Sequence, residues 1–142
     1  MLTRAAAAFA ATVSTLSLAG CAQPDHDDAV VDGITALRDA GTADKNLGSM
    51  TTFEWDEVYF FPENTAVDDI QAKTGVELPG GLISGDHLYN STLVFLGDGV
   101  VVETVQTAGA PLGFDSSRTF KPYPYPGELE VRDAAVYLVP VG

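Results

Sequence analysis

The sequence predicts an α+β fold: an antiparallel sheet of four or five strands, with an N-terminal helix and a short second helix packed on one side. Three patterns predict this class, namely an amphipathic helical period near the start, a hairpin rich in valine and threonine in the middle, and alternating strand patterns on either side of it. The 142 residues, 46% of them hydrophobic, suffice for one domain with a hydrophobic core. We therefore expect a single α+β domain over residues 29–142.

The first helix is predicted over Asp28–Ala40. Val30, Ile34 and Leu37 recur at the i, i+4 and i+7 spacing that places side chains on one face of a helix. An aspartate at its start can cap the helix, and Gly41 follows the last periodic residue as a stop signal. This pattern indicates an amphipathic helix.

The second helix is predicted over Ala66–Thr74. The segment Thr65–Asp68 resembles a capping box, and Gly75 can close a helix of two turns. Between the two helices, Thr42–Thr51 has no apolar period and predicts a loop.

Between the predicted helices, Thr52–Phe61 has the period-two pattern of a strand with one face in water. Its acids Glu54 and Asp56 alternate with aromatic residues. Val58 and Phe60 make the far end apolar on both faces, which predicts a strand that runs into a covered position. The predicted aromatic face comprises Phe53, Trp55, Tyr59 and Phe61. We therefore expect Trp55 to be a core residue.

The second half of the chain predicts three further strands. Thr92–Leu96 and Val100–Thr107 are separated by Gly97-Asp98-Gly99, a hairpin signal, so these two strands should pair antiparallel. Lys121–Gly127 contains three prolines and can form neither a helix nor a central strand. Ala134–Val139 alternates as a last strand.

The N-terminus has the pattern of a secretory signal. Arg4 supplies a positive charge, and the alanine-rich run Ala5–Leu18 is apolar but too short to span a bilayer. The run ends in Leu18-Ala19-Gly20-Cys21, which resembles the lipobox of bacterial lipoproteins. The resemblance implies that residues 1–20 are removed, that the thiol of Cys21 is alkylated by diacylglycerol and that the new amine is acylated.

A lipidated Cys21 implies an exported protein anchored to the cell membrane or the outer membrane, with residues 21–28 as the tether. Two or three acyl chains hold a protein firmly, whereas one holds it only marginally. The alternative is an ordinary secreted protein cut after Gly20 or Ala22, with a free thiol. Because Cys21 is the only cysteine, its lipidation leaves no thiol for a disulfide, a nucleophile or a soft metal site.

The charge of the chain restricts its partners. The formal charge is −13, and cleavage before Cys21 would remove Arg4 and no acid, which makes it −14. Phosphate binding needs clustered lysine and arginine, whereas the basic residues here are scattered. These observations exclude nucleic acid as a partner. The spread of acids over the whole chain favours solubility over one specific cationic partner.

A second resemblance covers roughly Thr52–Thr107. The segment Trp55–Pro62, Thr65 shortly after it, and Leu93–Leu96 followed by Gly99-Val100-Val101 are similar to a pattern found in small exported bacterial lipoproteins. That group carries no assigned activity. The resemblance therefore supports the predicted fold and implies no functional residue.

The sequence offers few candidates for catalysis or metal binding. His87 follows Asp86 in a predicted loop, where either side chain could orient the other for acid or base work. No serine lies in a nucleophile motif, and His26 lies among acids in the predicted tether, without the fixed geometry that a metal site needs. We expect no catalytic residue, no metal and no cofactor.

The best recognition candidate is the segment around Lys121–Gly127. Tyr123 and Tyr125 on a stiff proline-rich backbone would present rigid aromatic area, and Arg118 and Lys121 add positive charge to an acidic molecule. The alternative is that both tyrosines fold inward and cover an end of the sheet.

These observations together predict a lipid-anchored protein of the cell envelope that is a non-enzymatic binding or interaction module, with an envelope protein as its possible partner. Two alternatives stay open. One is a small envelope hydrolase that uses His87 with a carboxylate, and the other is a surface lipoprotein without a specific ligand.

Overall fold

The computed structural model describes residues 26–107 and 112–141, with side chains from residue 29. Within these ranges the chain forms an α+β fold, as predicted. The α-helices are α1 (His26–Ala40) and α2 (Val67–Thr74), and short 3-10 helices lie at Leu47–Met50, Gly80–Leu82 and Ser116–Arg118. The strands are β1 (Glu57–Phe61), β2 (Ile83–Ser84), β3 (His87–Leu88), β4 (Thr92–Gly97), β5 (Val100–Gln106), β6 (Leu112–Gly113), β7 (Tyr123–Pro124), β8 (Leu129–Arg132) and β9 (Ala135–Leu138).

The central sheet has four antiparallel strands in the order β5-β4-β1-β7, which agrees with the predicted sheet. The predicted hairpin is β4 and β5, and its turn residues Asp98 and Gly99 both have positive φ, at 52° and 79°. Two residues of left-handed conformation match the twist of the flanking strands. The predicted last strand is β9, which pairs antiparallel with β8 and parallel with β6 in a second, smaller sheet.

Both faces of the central sheet are covered. On one face, Val58 and Phe60 of β1 pack in a cluster with the apolar residues of α1. On the other face, Tyr59 and Phe61 pack in a second cluster with Ile70 of α2. The two helices therefore lie over opposite faces, whereas the sequence led us to expect both on one side. The physical reason is that successive residues of a strand point to opposite faces, so a strand apolar on both faces needs a cover on each.

The first strand is shorter than the predicted Thr52–Phe61. β1 begins at Glu57, and residues 52–56 precede it in bends and irregular backbone. The bend at Asp56 interrupts the alternation, so Trp55 lies in the cluster of Val58 and not on the face of Tyr59. The predicted shared face is therefore wrong, whereas the predicted burial of Trp55 is confirmed, since its exposed fraction is 5%.

The helix ends differ from the predictions in detail. α1 begins at His26, so residues 26–28 belong to the helix and not to the predicted tether. α2 ends at Gly75 with a left-handed φ of 74°, as predicted, but Thr65 does not cap its start. The hydroxyl of Thr65 donates instead to the carbonyl of Pro62 at 2.6 Å. The predicted loop Thr42–Thr51 contains the 3-10 helix Leu47–Met50, whose Leu47 is buried.

Candidate functional site

The structure separates the residues of the predicted recognition segment. Tyr123 in β7 pairs with Val58 of β1 at the edge of the central sheet, and only 4% of it is exposed. The guanidinium of Arg118 lies over the Tyr123 ring at 4.7 Å, and its Nη2 donates to the carbonyl of Pro122 at 2.9 Å. Burial raises the pKa of the Tyr123 phenol. Arg118 and Tyr123 are thus brought together as a packed edge of the sheet, and Tyr123 offers no open surface.

Arg118 is held in place by the turn that precedes it. Asp115 accepts hydrogen bonds from the backbone N of Ser117 at 2.9 Å and from its hydroxyl at 2.7 Å, which caps the 3-10 helix Ser116–Arg118. The hydrogen bond from the Ser117 hydroxyl is the main reason that the pKa of Asp115 lies below its usual range. The Nε of Arg118 is buried without a hydrogen-bond partner among the described residues. Arg118 therefore packs against its own chain, whereas the side chain of Lys121 is exposed.

Of the two tyrosines in this segment, Tyr125 is the one that faces solvent, with 54% of it exposed. Its position is nevertheless fixed. Its backbone N donates to the carbonyl of Asp56 at 2.8 Å, and its ring meets Trp55 edge to face with centroids 4.9 Å apart. The residue that follows, Pro126, accepts a hydrogen bond from the backbone N of Gly48 at 2.8 Å. Tyr125 is therefore an exposed aromatic ring on a firmly tied backbone.

The ring of Tyr125 borders a cleft of about 510 Å³, which we call the Tyr125 cleft. This volume lies within the range of small-ligand sites, roughly 300–1,000 Å³. The cleft is lined by Gly48, Thr51, Thr52, Phe53, Glu54, Trp55, Asp56 and Tyr125. Its floor is stabilised where the indole Nε1 of Trp55 donates to the hydroxyl of Thr51 at 3.0 Å.

The charge at the Tyr125 cleft is negative. Two exposed carboxylates, Glu54 and Asp56, line it, and no basic side chain does. Asp56 accepts from the backbone N of Asp98 at 2.7 Å, which fixes one of its oxygens. The cleft therefore combines an exposed aromatic ring with two carboxylates, a set that can hold a cation or accept hydrogen bonds from a polar ligand.

Sequence analysis identified Tyr125 but missed the rest of this cleft. Glu54 and Asp56 were expected on the wet face of a strand, and Gly48 lay within a predicted loop. The absence of a Cβ on Gly48 allows the ring of Tyr125 to approach closely, since a Cβ there would lie 2.9 Å from Cε2 of Tyr125. That approach joins residues 77 positions apart in the chain, so no local period could have indicated it.

No known protein family, curated protein or solved structure matches the chain. The similarity to small exported lipoproteins therefore stays a prediction. Cys21 and the predicted signal peptide lie outside the described residues, and within the described ranges no helix is long and apolar enough to cross a membrane.

His87 and Asp86 form a pair on the surface. His87 Nδ1 lies 3.1 Å from Asp86 Oδ1, and the side chain of Asp86 is 93% exposed. The hydrogen bond with His87 lowers the pKa of Asp86. Among the side chains of residues 29–107 and 112–141, no group of three or more histidine, cysteine, aspartate or glutamate residues could hold a metal ion. The pair is therefore hydrogen-bonded in a way that suits acid–base chemistry, and none of the described side chains forms a metal site beside it.

A second cleft lies between α1 and the segment that follows it. It has a volume of about 500 Å³, and its walls include Ala29, Gly33, Leu37 and Met50. The side chain of Met50 fills the space above Gly33, where an added Cβ would come within 2.7 Å of the Met50 sulfur. This cleft is thus a largely apolar groove beside a flexible side chain, with Asp44, Lys45 and Ser49 as its polar lining residues.

Proposed function

We propose that this chain is a lipid-anchored protein of the cell envelope that acts as a non-enzymatic binding module, with the Tyr125 cleft as its contact site. The observation that carries the proposal is that Tyr125 is more than half exposed and yet fixed by its backbone and by Trp55. A rigid exposed aromatic ring contributes contact area at little cost in conformational entropy, which is why tyrosine is frequent at binding surfaces.

The anchor is supported by the lipobox-like segment Leu18–Cys21. An acidic domain held by lipid at its N-terminus would be kept in solution by repulsion from anionic headgroups, since the described part of the chain has few basic residues and they are scattered. The partner we propose is another protein of the envelope. Its contact would be with the cleft and not with the packed pair Arg118 and Tyr123.

The hydrolase alternative has less support. It depends on His87 with Asp86, a surface pair that lines neither the Tyr125 cleft nor the cleft beside α1. Catalytic pairs typically lie in a concave site that holds the substrate and excludes water.

Site-specific photo-crosslinking in intact cells tests the proposed contact. A photoreactive amino acid at Thr52, an exposed residue of the cleft, should give a protein adduct of defined mass, and the same group at Glu63, which lies outside the cleft, should not. Tyr125→Ala in the Thr52 background should reduce the adduct several-fold. Equal adducts from Thr52 and Glu63, or an adduct that survives Tyr125→Ala, would contradict the proposal, and absence of adducts would favour a surface lipoprotein without a specific ligand.

A further inference from the structure

We propose that the Tyr125 cleft receives a basic side chain, the guanidinium of arginine or the ammonium of lysine, from the partner protein. The inference rests on the proposed function and specifies the chemistry of that partner. It depends on three observations: how the other aromatic rings of this chain are used, the charges that line the cleft, and the rigidity of its walls.

In the described part of the chain, three aromatic rings each have a lysine or arginine side chain of the same chain over one face. Lys73 Nζ lies 4.4 Å from the centre of the Phe120 ring, and Arg132 Cζ lies 4.2 Å from that of Tyr137. Arg118 covers Tyr123 in the same way. Tyr125 carries no cation from the described residues although 54% of it is exposed. The exposed area of its ring is thus accessible to a cation from a partner molecule.

The charges around Tyr125 favour that cation. Glu54 lines the cleft and its side chain is exposed, so its carboxylate is accessible to a ligand. Asp56 adds a second carboxylate to the cleft, and one of its oxygens accepts a hydrogen bond from the backbone N of Asp98 at 2.7 Å. A cation that lies over an aromatic face and beside a carboxylate is stabilised by both contacts.

The walls of the cleft reduce the cost of binding. The ring of Tyr125 rests against Trp55 and close to Gly48, and the hydrogen bonds from Gly48 to Pro126 and from Tyr125 to Asp56 join the two segments that frame it. A site already in its binding conformation loses little conformational entropy when the ligand arrives. The −13 charge of the chain also attracts a basic partner over distances beyond direct contact.

The main competing occupant is a neutral sugar, because aromatic rings and carboxylates also bind hydroxyl groups. The charge of the ligand distinguishes a neutral sugar from a basic side chain. A sugar would be indifferent to the exchange of a carboxylate for an amide of the same shape, since both accept hydrogen bonds, whereas a cation would lose its opposite charge.

The test uses the full lipidated protein in a non-ionic detergent, with the Trp55 indole N–H resonance as the probe of the cleft, because Trp55 is the only tryptophan in the chain. The peptide acetyl-Gly-Arg-Gly-amide should shift that resonance in a saturable way. The same peptide with citrulline, which is nearly the same shape and neutral, should bind at least about five-fold more weakly, because it lacks both the cation–π contact and the charge pair.

Matched variants assign the effect to the cleft. Glu54→Gln should weaken arginine-peptide binding about two- to five-fold, and Glu63→Gln, which changes the net charge equally outside the cleft, should not. Tyr125→Leu should weaken it by a similar factor, whereas Tyr125→Phe, which keeps the aromatic face, should bind nearly as the original does.

Three outcomes would overturn the inference: equal binding of the arginine and citrulline peptides, no saturable shift with either peptide, or a shift with the neutral trisaccharide maltotriose that Glu54→Gln leaves intact. None of these would by itself remove the proposed binding role, which depends on the photo-crosslinking from Thr52. Loss of that adduct would refute the binding role whatever the peptides do.

Discussion

The ring of Tyr125 lies so close to Gly48 that a Cβ on Gly48 would come within 2.9 Å of Cε2 and 3.1 Å of the phenol oxygen. Real Cβ atoms essentially never approach other atoms this closely. The position of the exposed ring therefore depends on the absence of a side chain at Gly48, and both residues line the Tyr125 cleft.

We predict that Gly48→Ala displaces the Tyr125 ring from the cleft. The new methyl group overlaps the ring, and displacement of the ring would disturb its edge-to-face contact with Trp55. The near-ultraviolet circular dichroism of Trp55 and Tyr125 should change, and the free energy of unfolding should fall by about 1–3 kcal/mol, as for other overpacked positions.

Gly33→Ala is the matched control. The new Cβ meets only the flexible end of Met50, and Gly33 lies inside α1, where alanine is favoured over glycine by about 1 kcal/mol. This variant should be as stable as the original or more so, with an unchanged aromatic spectrum. If Gly48→Ala behaved like Gly33→Ala, Tyr125 would not be fixed by the glycine.

We predict that Tyr123→Ala and Tyr125→Ala differ in their effects. Loss of the buried Tyr123 ring should reduce the free energy of unfolding by about 3 kcal/mol or more, as loss of a large core side chain does. Tyr125→Ala should reduce the free energy of unfolding by only about 1 kcal/mol, the value of its contact with Trp55. It should also reduce the yield of the photo-crosslinked adduct from Thr52. Urea titrations of both variants measure the difference. Equal losses of stability would show that the two tyrosines act as one covering layer.

Much of the fold could be predicted because local patterns determine it. The spacing of Val30, Ile34 and Leu37 indicated α1, and Asp98 with Gly99 indicated the hairpin. The face of Trp55 could not be predicted in this way. Apolar and polar residues alternate without interruption in the sequence, but the bend at Asp56 interrupts the alternation of faces in the structure. That bend is stabilised by residues distant in sequence: the backbone N of Asp56 donates to the carbonyl of Leu96 at 2.7 Å.

The candidate site was less predictable than the fold. The proline-rich pattern drew attention to Tyr123 and Tyr125 but treated them as one unit. They separate because β7 contains only two residues: Tyr123 pairs with β1, and the chain then leaves the sheet towards Gly48. Which of two neighbouring tyrosines is covered depends on that tertiary pairing and not on the residues beside them.

We predict that Cys21→Ser moves the protein from the membrane fraction to the soluble or secreted fraction. The serine hydroxyl cannot form the thioether, so the predicted acyl chains and their affinity for the bilayer would be lost. Cell fractionation measures the change, with the original chain as the control. Intact-mass spectra that showed an unmodified mature N-terminus in the original chain would contradict the proposed anchor.

We predict that the domain loses stability as the pH rises above about 10. Burial raises the pKa of both Tyr59 and Tyr123, and the charge of Glu57 raises that of Tyr59 further, whereas a tyrosine in the unfolded chain ionises near its ordinary value of about 10. The folded state therefore holds these protons more tightly. The resulting stability is fully present below the unfolded pKa and is lost as the pH rises through the folded pKa.

The double variant Tyr59→Phe and Tyr123→Phe tests the origin of this loss. Phenylalanine keeps the rings and removes the ionisable hydroxyls, so the midpoint of urea unfolding should fall less between pH 9 and pH 11 than in the original chain. Tyr125→Phe, which removes an exposed hydroxyl, should leave the steep dependence unchanged. If the double variant kept the full alkaline loss, the two buried tyrosines would not be its cause.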